Sequence, residues 1–279
     1  MSGLGNPAAT MKINLKKPSG DDASTLELQR LATLADLNKA VCDAESCNLG
    51  NFSLLLDGAA LEDFPDVTSL SECRVEDGST LILVSRKIFK VLTASADGTA
   101  KMWDSSTGEC KQSFAGHDGT VCSAVFSDDA SSVLTSSMDR TARIWDASTG
   151  ECKRTFSGHA DDVNSAVFSG DACSVLTASD DGTAKVWNSL TGECKHTLSG
   201  HSGTVMSAVF SGDDSSILTA SEDKTAKIWD TSTGQCKQTF SGHSGFVSRV
   251  VFSGDGCSVL TSSVDKTARI WDSSTGECK

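Results

Sequence analysis

The stretch VLTSSMDRTARIWDASTGECKRTFSGH, Val133–His159, decides how the rest of the chain reads. It recurs almost unchanged. VLTASADGTAKMWDSSTGECKQSFAGH begins at Val91, VLTASDDGTAKVWNSLTGECKHTLSGH at Val175 and ILTASEDKTAKIWDTSTGQCKQTFSGH at Ile217. A fifth copy begins at Val259 and runs to Lys279. The chain's only tryptophans, Trp103, Trp145, Trp187, Trp229 and Trp271, stand 42 residues apart. A fixed period of this length marks an array in which each unit buries its faces against its neighbours.

Strands can be read inside each unit. TVCSAVF (120–126) alternates apolar and small residues and predicts a first strand, a. Val133 to Thr135 starts strand b, Ala142 to Trp145 forms strand c, and Cys152 to Phe156 forms an outer strand d. Asp97-Gly98 and Asp181-Gly182 lie between b and c, and Asp-Gly favours a tight hairpin turn. Thr149-Gly150 marks the turn between c and d. Each unit is therefore expected to be a four-stranded antiparallel sheet.

The period, together with the Gly-His pair and the Trp-Asp pair in each copy, resembles the WD-repeat β-propeller family over residues 88–279. Asn188 replaces the Asp after Trp187 in one copy. The resemblance implies a mainly β fold of about five blades, the first and last incomplete, with repeats near 88–117, 118–159, 160–201, 202–243 and 244–279. It also implies a non-enzymatic scaffold that binds proteins or peptides.

Four histidines, His117, His159, His201 and His243, are each followed 22 residues later by Asp139, Asp181, Asp223 or Asp265. Thr135, Thr177, Thr219 and Thr261 precede those aspartates by four residues, and Trp145, Trp187, Trp229 and Trp271 follow them by six. His, Asp and a hydroxyl invite a catalytic-triad reading. We reject it, because catalysis needs one distinctive pocket and this set recurs in four near-identical copies. The family resemblance implies instead a structural relay running from Asp to His to Thr to the indole N–H. Blade 1 departs from the pattern: counting back one period from His117 gives Val75, so only Thr93, Asp97 and Trp103 remain. The fifth histidine, His196, falls on an outer strand, where solvation is expected.

Near-identical repeats also allow an internal comparison. The residue before the relay Asp reads Ala96, Met138, Asp180, Glu222 and Val264. The residue after the strand-a valine reads Cys122, Asn164, Met206 and Ser248. Two residues before these stand Thr120, Asp162, Thr204 and Phe246. By resemblance these positions ring the top face of a propeller. Met138, Met206, Phe246 and Val264 are apolar there, beside the acidic Asp162, Asp180 and Glu222. Apolar anchors beside carboxylates suit a peptide with a basic residue, and neutral drift at exposed positions is the rival reading.

No such signature precedes residue 88. Residues 1–10 read as a disordered leader. Met11 to Leu15 alternates as a strand, Ser24 to Gln29 suits a hairpin partner, and Leu34, Leu37 and Val41 have helical spacing. FSLLLDGAALED (52–63) and STLILVSR (79–86) complete a β-β-α-β-β order. Residues 11–86 so resemble a small α+β ubiquitin-like β-grasp domain, and the resemblance implies a binding face at Leu55, Ile82 and Val84. Core burial is the rival reading for each of the three. No Gly-Gly follows Arg86, so a role by docking rather than conjugation is expected. The segment STLILV also lies one period before strand a of blade 2, and either unit has a claim on it; the β-grasp is favoured.

Composition narrows the function. A net charge of −13 argues against a phosphate-backbone or anionic-membrane binder, so neither nucleic acid nor membrane is expected as a partner. No phosphate loop, nucleophile elbow or C-x-x-C pair occurs, and no cofactor or metal is expected. The eleven cysteines and the unremarkable first residues suggest reduced, mostly packing thiols in a cytoplasmic or nuclear protein. Two roles follow: a subunit of a multiprotein assembly, or an adaptor joining a propeller-bound client to ubiquitin or proteasome machinery. The second rests on fold analogy.

Overall fold

A computed structural model describes residues 10–16, 22–29, 32–45, 52–56, 59–60, 70, 74–76, 79–85 and 90–279. The leader expected at 1–10 lies, except for Thr10, outside the described residues. The chain divides into two compact units, Met1–Phe89 and Lys90–Lys279.

In the first unit, β1 (Thr10–Lys16) pairs antiparallel with β2 (Asp22–Gln29), bringing Met11 opposite Leu28 and Ile13 opposite Leu26. Helix α1 (Leu34–Glu45) starts at a capping box: the Thr33 N–H donates to Asp36 at 2.8 Å, and the Asp36 N–H donates back to the Thr33 hydroxyl at 3.4 Å. Its Leu34, Leu37 and Val41 face inward with Ile13, Leu15, Leu54 and Leu81. Strands β3 (Phe52–Leu56), β4 (Ala59–Ala60) and β5 (Thr80–Ser85) complete a sheet of order β2-β1-β5-β3-β4. β5 is central, parallel to β1 and antiparallel to β3.

That placement assigns the contested segment STLILV to the first unit. Blade 1 accordingly has three strands, β6 (Lys90–Ala94), β7 (Thr99–Asp104) and β8 (Cys110–Ala115). Three complete blades follow. Blade 2 comprises β9 (Val121–Phe126), β10 (Ser132–Ser137), β11 (Thr141–Asp146) and β12 (Cys152–Ser157). Blade 3 comprises β13 (Val163–Phe168), β14 (Ser174–Ser179), β15 (Thr183–Asn188) and β16 (Cys194–Ser199). Blade 4 comprises β17 (Val205–Phe210), β18 (Ser216–Ser221), β19 (Thr225–Asp230) and β20 (Cys236–Ser241). Blade 5 holds β21 (Val247–Phe252), β22 (Ser258–Ser263) and β23 (Ala268–Asp272). A single bridge from Trp271 to Cys278 begins its outer edge.

The blades meet face to face. One side of blade 3 offers Leu176, Ala184, Val186 and Leu198, and these pack on Val205, Ala208, Ile217 and Trp229 of blade 4. The same pattern joins blade 2 to 3 and blade 4 to 5. Period-two alternation puts one such set on each side of every central strand, so both faces of an interior blade are buried.

The thiols correct one expectation. Cys110, Cys152, Cys173, Cys194, Cys236, Cys257 and Cys278 are free and exposed, and Cys122 is half-buried. Strand d is the outermost strand of each blade, so its cysteine projects at the rim instead of packing. Its Sγ–H meets only nearby groups, as from Cys152 to the Arg154 carbonyl at 3.5 Å.

Candidate functional site

The Asp of each quartet sits in the turn between strands b and c, the Thr on strand b, the Trp on strand c, and the His before strand a of the same blade. In blade 3, His159 Nδ1 lies 2.8 Å from Asp181 Oδ2, and its Nε2 lies 2.7 Å from Thr177 Oγ1. The Trp187 indole N–H donates to that Thr177 oxygen at 2.9 Å. His117, Asp139, Thr135 and Trp145 in blade 2 repeat these contacts, as do His201, Asp223, Thr219 and Trp229 in blade 4. His243, Asp265, Thr261 and Trp271 repeat them in blade 5. A neutral imidazole satisfies all of them in one direction. Nδ1–H donates to the carboxylate, Nε2 accepts the Thr hydroxyl, and the Thr oxygen accepts the indole N–H.

The electrostatics favour that neutral form. Burial pushes the His117, His159 and His201 pKa values down, and the partner aspartates only partly offset this. Burial alone would raise Asp181, but hydrogen bonds from Thr183, the Ala160 N–H and His159 outweigh it and bring the carboxyl to about 2. Asp139 and Asp223 are lowered by the same opposition. The hydrogen bond from Thr267 is the largest cause at Asp265, which is also lowered.

Close packing completes the arrangement. The glycine before each of these histidines approaches the indole: a Cβ on Gly158 would stand 3.3 Å from the Trp187 ring, at a φ of +142°. Sequence reading missed the second hydroxyl of the set. Thr141, Thr183, Thr225 and Thr267 donate to the other oxygen of the same Asp at 2.6 Å. The recurring Asp-x-Thr was a signal that could have found them.

In blade 1 the Trp103 N–H still donates to Thr93 at 2.9 Å, and Asp97 accepts from Thr99. Val75, one period before His117, is buried in the core of the first unit. His196 is half-buried on β16.

The variable positions meet in pairs at one end of the blades. Each residue before the relay Asp donates its N–H to the carbonyl at the entry to strand a. Met138 pairs with Thr120, Asp180 with Asp162, Glu222 with Thr204 and Val264 with Phe246. Met138, Phe246 and Val264 are exposed, Val264 the most at 60%. Met206, expected at the surface with them, is half-buried. Asn164 donates to Asp180 at 2.6 Å and to the Val205 carbonyl of the next blade at 3.1 Å, tying two blades together. Burial raises the Asp162 carboxyl pKa, and the nearby charges of Asp161 and Asp180 raise it further.

A cleft of about 690 Å³ lies between blades 4 and 5 and is lined by Ser211, Asp213, Lys237, Phe252 and Asp255 among others. It contains none of the quartet or variable positions. Ile82 is 38% exposed and stands opposite Leu55 in the β3–β5 register. The side chains of Leu55 and Val84 lie outside the described residues.

The family model for the WD domain, G-beta repeat, matches residues 108–146, 150–188, 192–230 and 234–272. The chain belongs to the WD-repeat family. Each match takes the outer strand of one blade and the three inner strands of the next, so β6 and β7 fall before the first match. WD repeats indicate a protein-interaction scaffold in general, and the family's domains typically bind proteins or peptides without catalysing a reaction. No curated protein matches the chain.

Proposed function

We propose that this WD-repeat chain is a subunit of a multiprotein assembly whose top face holds an extended segment carrying Lys or Arg. The observation that carries the reading is the Asp162–Asp180 pair. The two are joined through their backbones; burial raises the Asp162 carboxyl, the charges of Asp161 and Asp180 raise it further, and a cation placed beside them would relieve that repulsion. Glu222 extends the acidic patch onto blade 4. The exposed Phe246–Val264 pair and Met138 supply apolar anchors on the flanking blades. The four quartets serve as internal glue in this proposal: each satisfies polar groups buried between strands.

The test is the double charge reversal Asp180→Lys/Glu222→Lys in the full chain. Captured partners with basic segments should be lost while the melting temperature stays within a few degrees of the parent. Unchanged partners would remove the top face from the proposal.

A second reading has its own support. The central, parallel β1–β5 pairing and the packed helix suit a ubiquitin-like module, and Ile82 offers it an exposed apolar residue. The chain would then be an adaptor between a top-face client and ubiquitin or proteasome machinery. Ile82→Asp in the full chain should release such components and leave the top-face partners in place. The exposed free thiols suit a reducing compartment, cytoplasm or nucleus, for either role.

A further inference from the structure

The repeats differ from one another at few places, and three of the differences meet where blade 2 adjoins blade 3. The turn between strands c and d reads Asp-Ser-Ser-Thr-Gly in blades 1 and 5, Asp-Ala-Ser-Thr-Gly in blade 2 and Asp-Thr-Ser-Thr-Gly in blade 4. In blade 3 it reads Asn188-Ser189-Leu190-Thr191-Gly192, so Leu190 stands where every other blade has Ser. Across from it, on strand d of blade 2, Arg154 stands where blades 1, 3 and 4 have Gln112, His196 and Gln238. The two are neighbours: a Cβ on Gly192 would stand 3.0 Å from Arg154 Cδ, so the Arg154 stem lies along the turn that carries Leu190. Between them runs a groove of about 290 Å³ with apolar walls from Ile144 of blade 2 and Phe168, Ala172 and Leu190 of blade 3. Leu190 is 77% exposed, the most of any large apolar side chain among the described residues.

The charges at this groove are unevenly matched. Lys153 on its edge is held by Asp146 at 2.9 Å, and Asp129 accepts from the Ser127 hydroxyl at 2.6 Å and the Ser131 N–H at 3.0 Å. Among the described residues the Arg154 guanidinium has no such partner. Asn188 takes away a further carboxylate. It keeps the turn by accepting the Leu190 and Thr191 N–H groups at 2.9 Å each. Lys195, whose counterparts Lys153 and Lys237 pair with the turn Asp at 2.9 Å, donates to the Ser174 hydroxyl at 2.8 Å instead. In a chain of net charge −13, two cations without a carboxylate thus flank the Leu190 turn.

We propose that the groove between blades 2 and 3 docks a segment of a partner protein in which an aliphatic or aromatic side chain adjoins a carboxylate. The apolar side chain covers Leu190 and enters between Ile144 and Phe168, and the carboxylate meets the Arg154 fork, which suits a bidentate pair. Neutral drift gives no reason for a Leu, an Arg and a lost carboxylate to converge on one of four blade junctions. The volume stands at the lower edge of the roughly 300–1,000 Å³ of small-molecule sites, so it suits single side chains of a segment better than a cofactor. The turns that form the groove lie at the opposite end of the strands from the variable pairs of the top face, and the two surfaces are independent.

Amide NMR spectra of the full chain test this, with short Gly-Ser peptides as probes. One series carries Leu or Phe beside Glu-Glu, a second has Lys-Lys in place of Glu-Glu, and a third has Ala in place of the apolar residue. The first series should shift the resonances of Leu190, Thr191 and Arg154. The second should leave them in place whatever it does at the top face, and the third should bind weakly. Leu190→Ser and Arg154→Gln install residues that other blades carry at the same positions, so circular dichroism and the melting temperature should match the parent. Each alone should weaken binding about tenfold or more, as expected for a covered Leu or a charge-assisted hydrogen bond. Asp180→Lys/Glu222→Lys should leave it unchanged. No shift at the Leu190 turn with the first series, equal shifts with the second, or binding that survives both groove substitutions would each overturn the proposal.

Discussion

Blade 1 and blade 3 carry nearly the same words, VLTASADGTAKMWD and VLTASDDGTAKVWN, and live in different surroundings. Blade 3 has an inner strand, a histidine and a neighbour on each side; its Trp187 is 2% exposed. Among the described residues blade 1 has no inner strand and no histidine, and its Val91 stands 46% exposed. The Thr–Trp hydrogen bond survives in both at 2.9 Å. The local motif therefore makes the hairpin and its indole bond, while burial and the rest of the polar chain come from the neighbouring segments.

The largest effect should come from removing the indole. Trp187→Ala should cost about 3–5 kcal/mol, the usual loss for a buried aromatic side chain. Trp103→Ala should cost clearly less, because part of that ring already faces water. Denaturant unfolding of both variants checks the difference, and equal losses would break the comparison.

Cutting the polar chain comes next. His159→Ala takes one hydrogen-bond partner from each of Thr177 and Asp181 inside the blade and should cost about 1–3 kcal/mol. Asp97→Ala in blade 1, where no imidazole is involved, should cost less than Asp181→Ala. Amide exchange resolved by blade would show where the protection is lost.

Acid should act on the same contrast. His117, His159 and His201 have pKa values held below the ordinary 6.5, so the unfolded chain takes up their protons first. Their contribution is complete above pH 6.5 and fades as pH falls below it. Between 6.5 and 5.5 each histidine can cost at most about 1.4 kcal/mol. The lowered aspartates add a further loss below their ordinary 3.8, in the same direction. Melting curves from pH 8 to 5 should fall, with exchange rising in blades 2–4 and not in blade 1. A flat profile would mean that folding leaves the imidazole pKa values unshifted, and a rise toward acid that the fold holds them charged.

The smallest effect concerns one turn. Gly98 holds a φ of +81°, and a Cβ there would stand 3.0 Å from the His117 carbonyl oxygen. Gly98→Ala should cost about 1–2 kcal/mol from the left-handed backbone alone. Arg140 occupies the same position in blade 2 at a φ of +68°, so Arg140→Ala should change stability much less.

Much of this was legible beforehand, for local reasons. The 42-residue period, the Asp-Gly turns and the alternation around each Trp specify strands b, c and d within a few residues, since each depends only on neighbours in sequence. The His–Asp–Thr–Trp spacing could be read because it repeats. The exposed rim thiols were misread as packing groups: alternation gives the face of a strand, but not whether another sheet covers it. Met206 was misjudged similarly, since its half-burial depends on what surrounds the end of blade 4.

The sequence by itself determined that there are five Trp-bearing units of one kind, because a repeated pattern imposes a repeated local geometry. Only the tertiary structure decided that STLILV belongs to the first unit, and that Val91 and Leu260 meet water where their copies meet protein. Identical side chains are buried or exposed according to what stands opposite them, and that partner lies a whole period away in the chain.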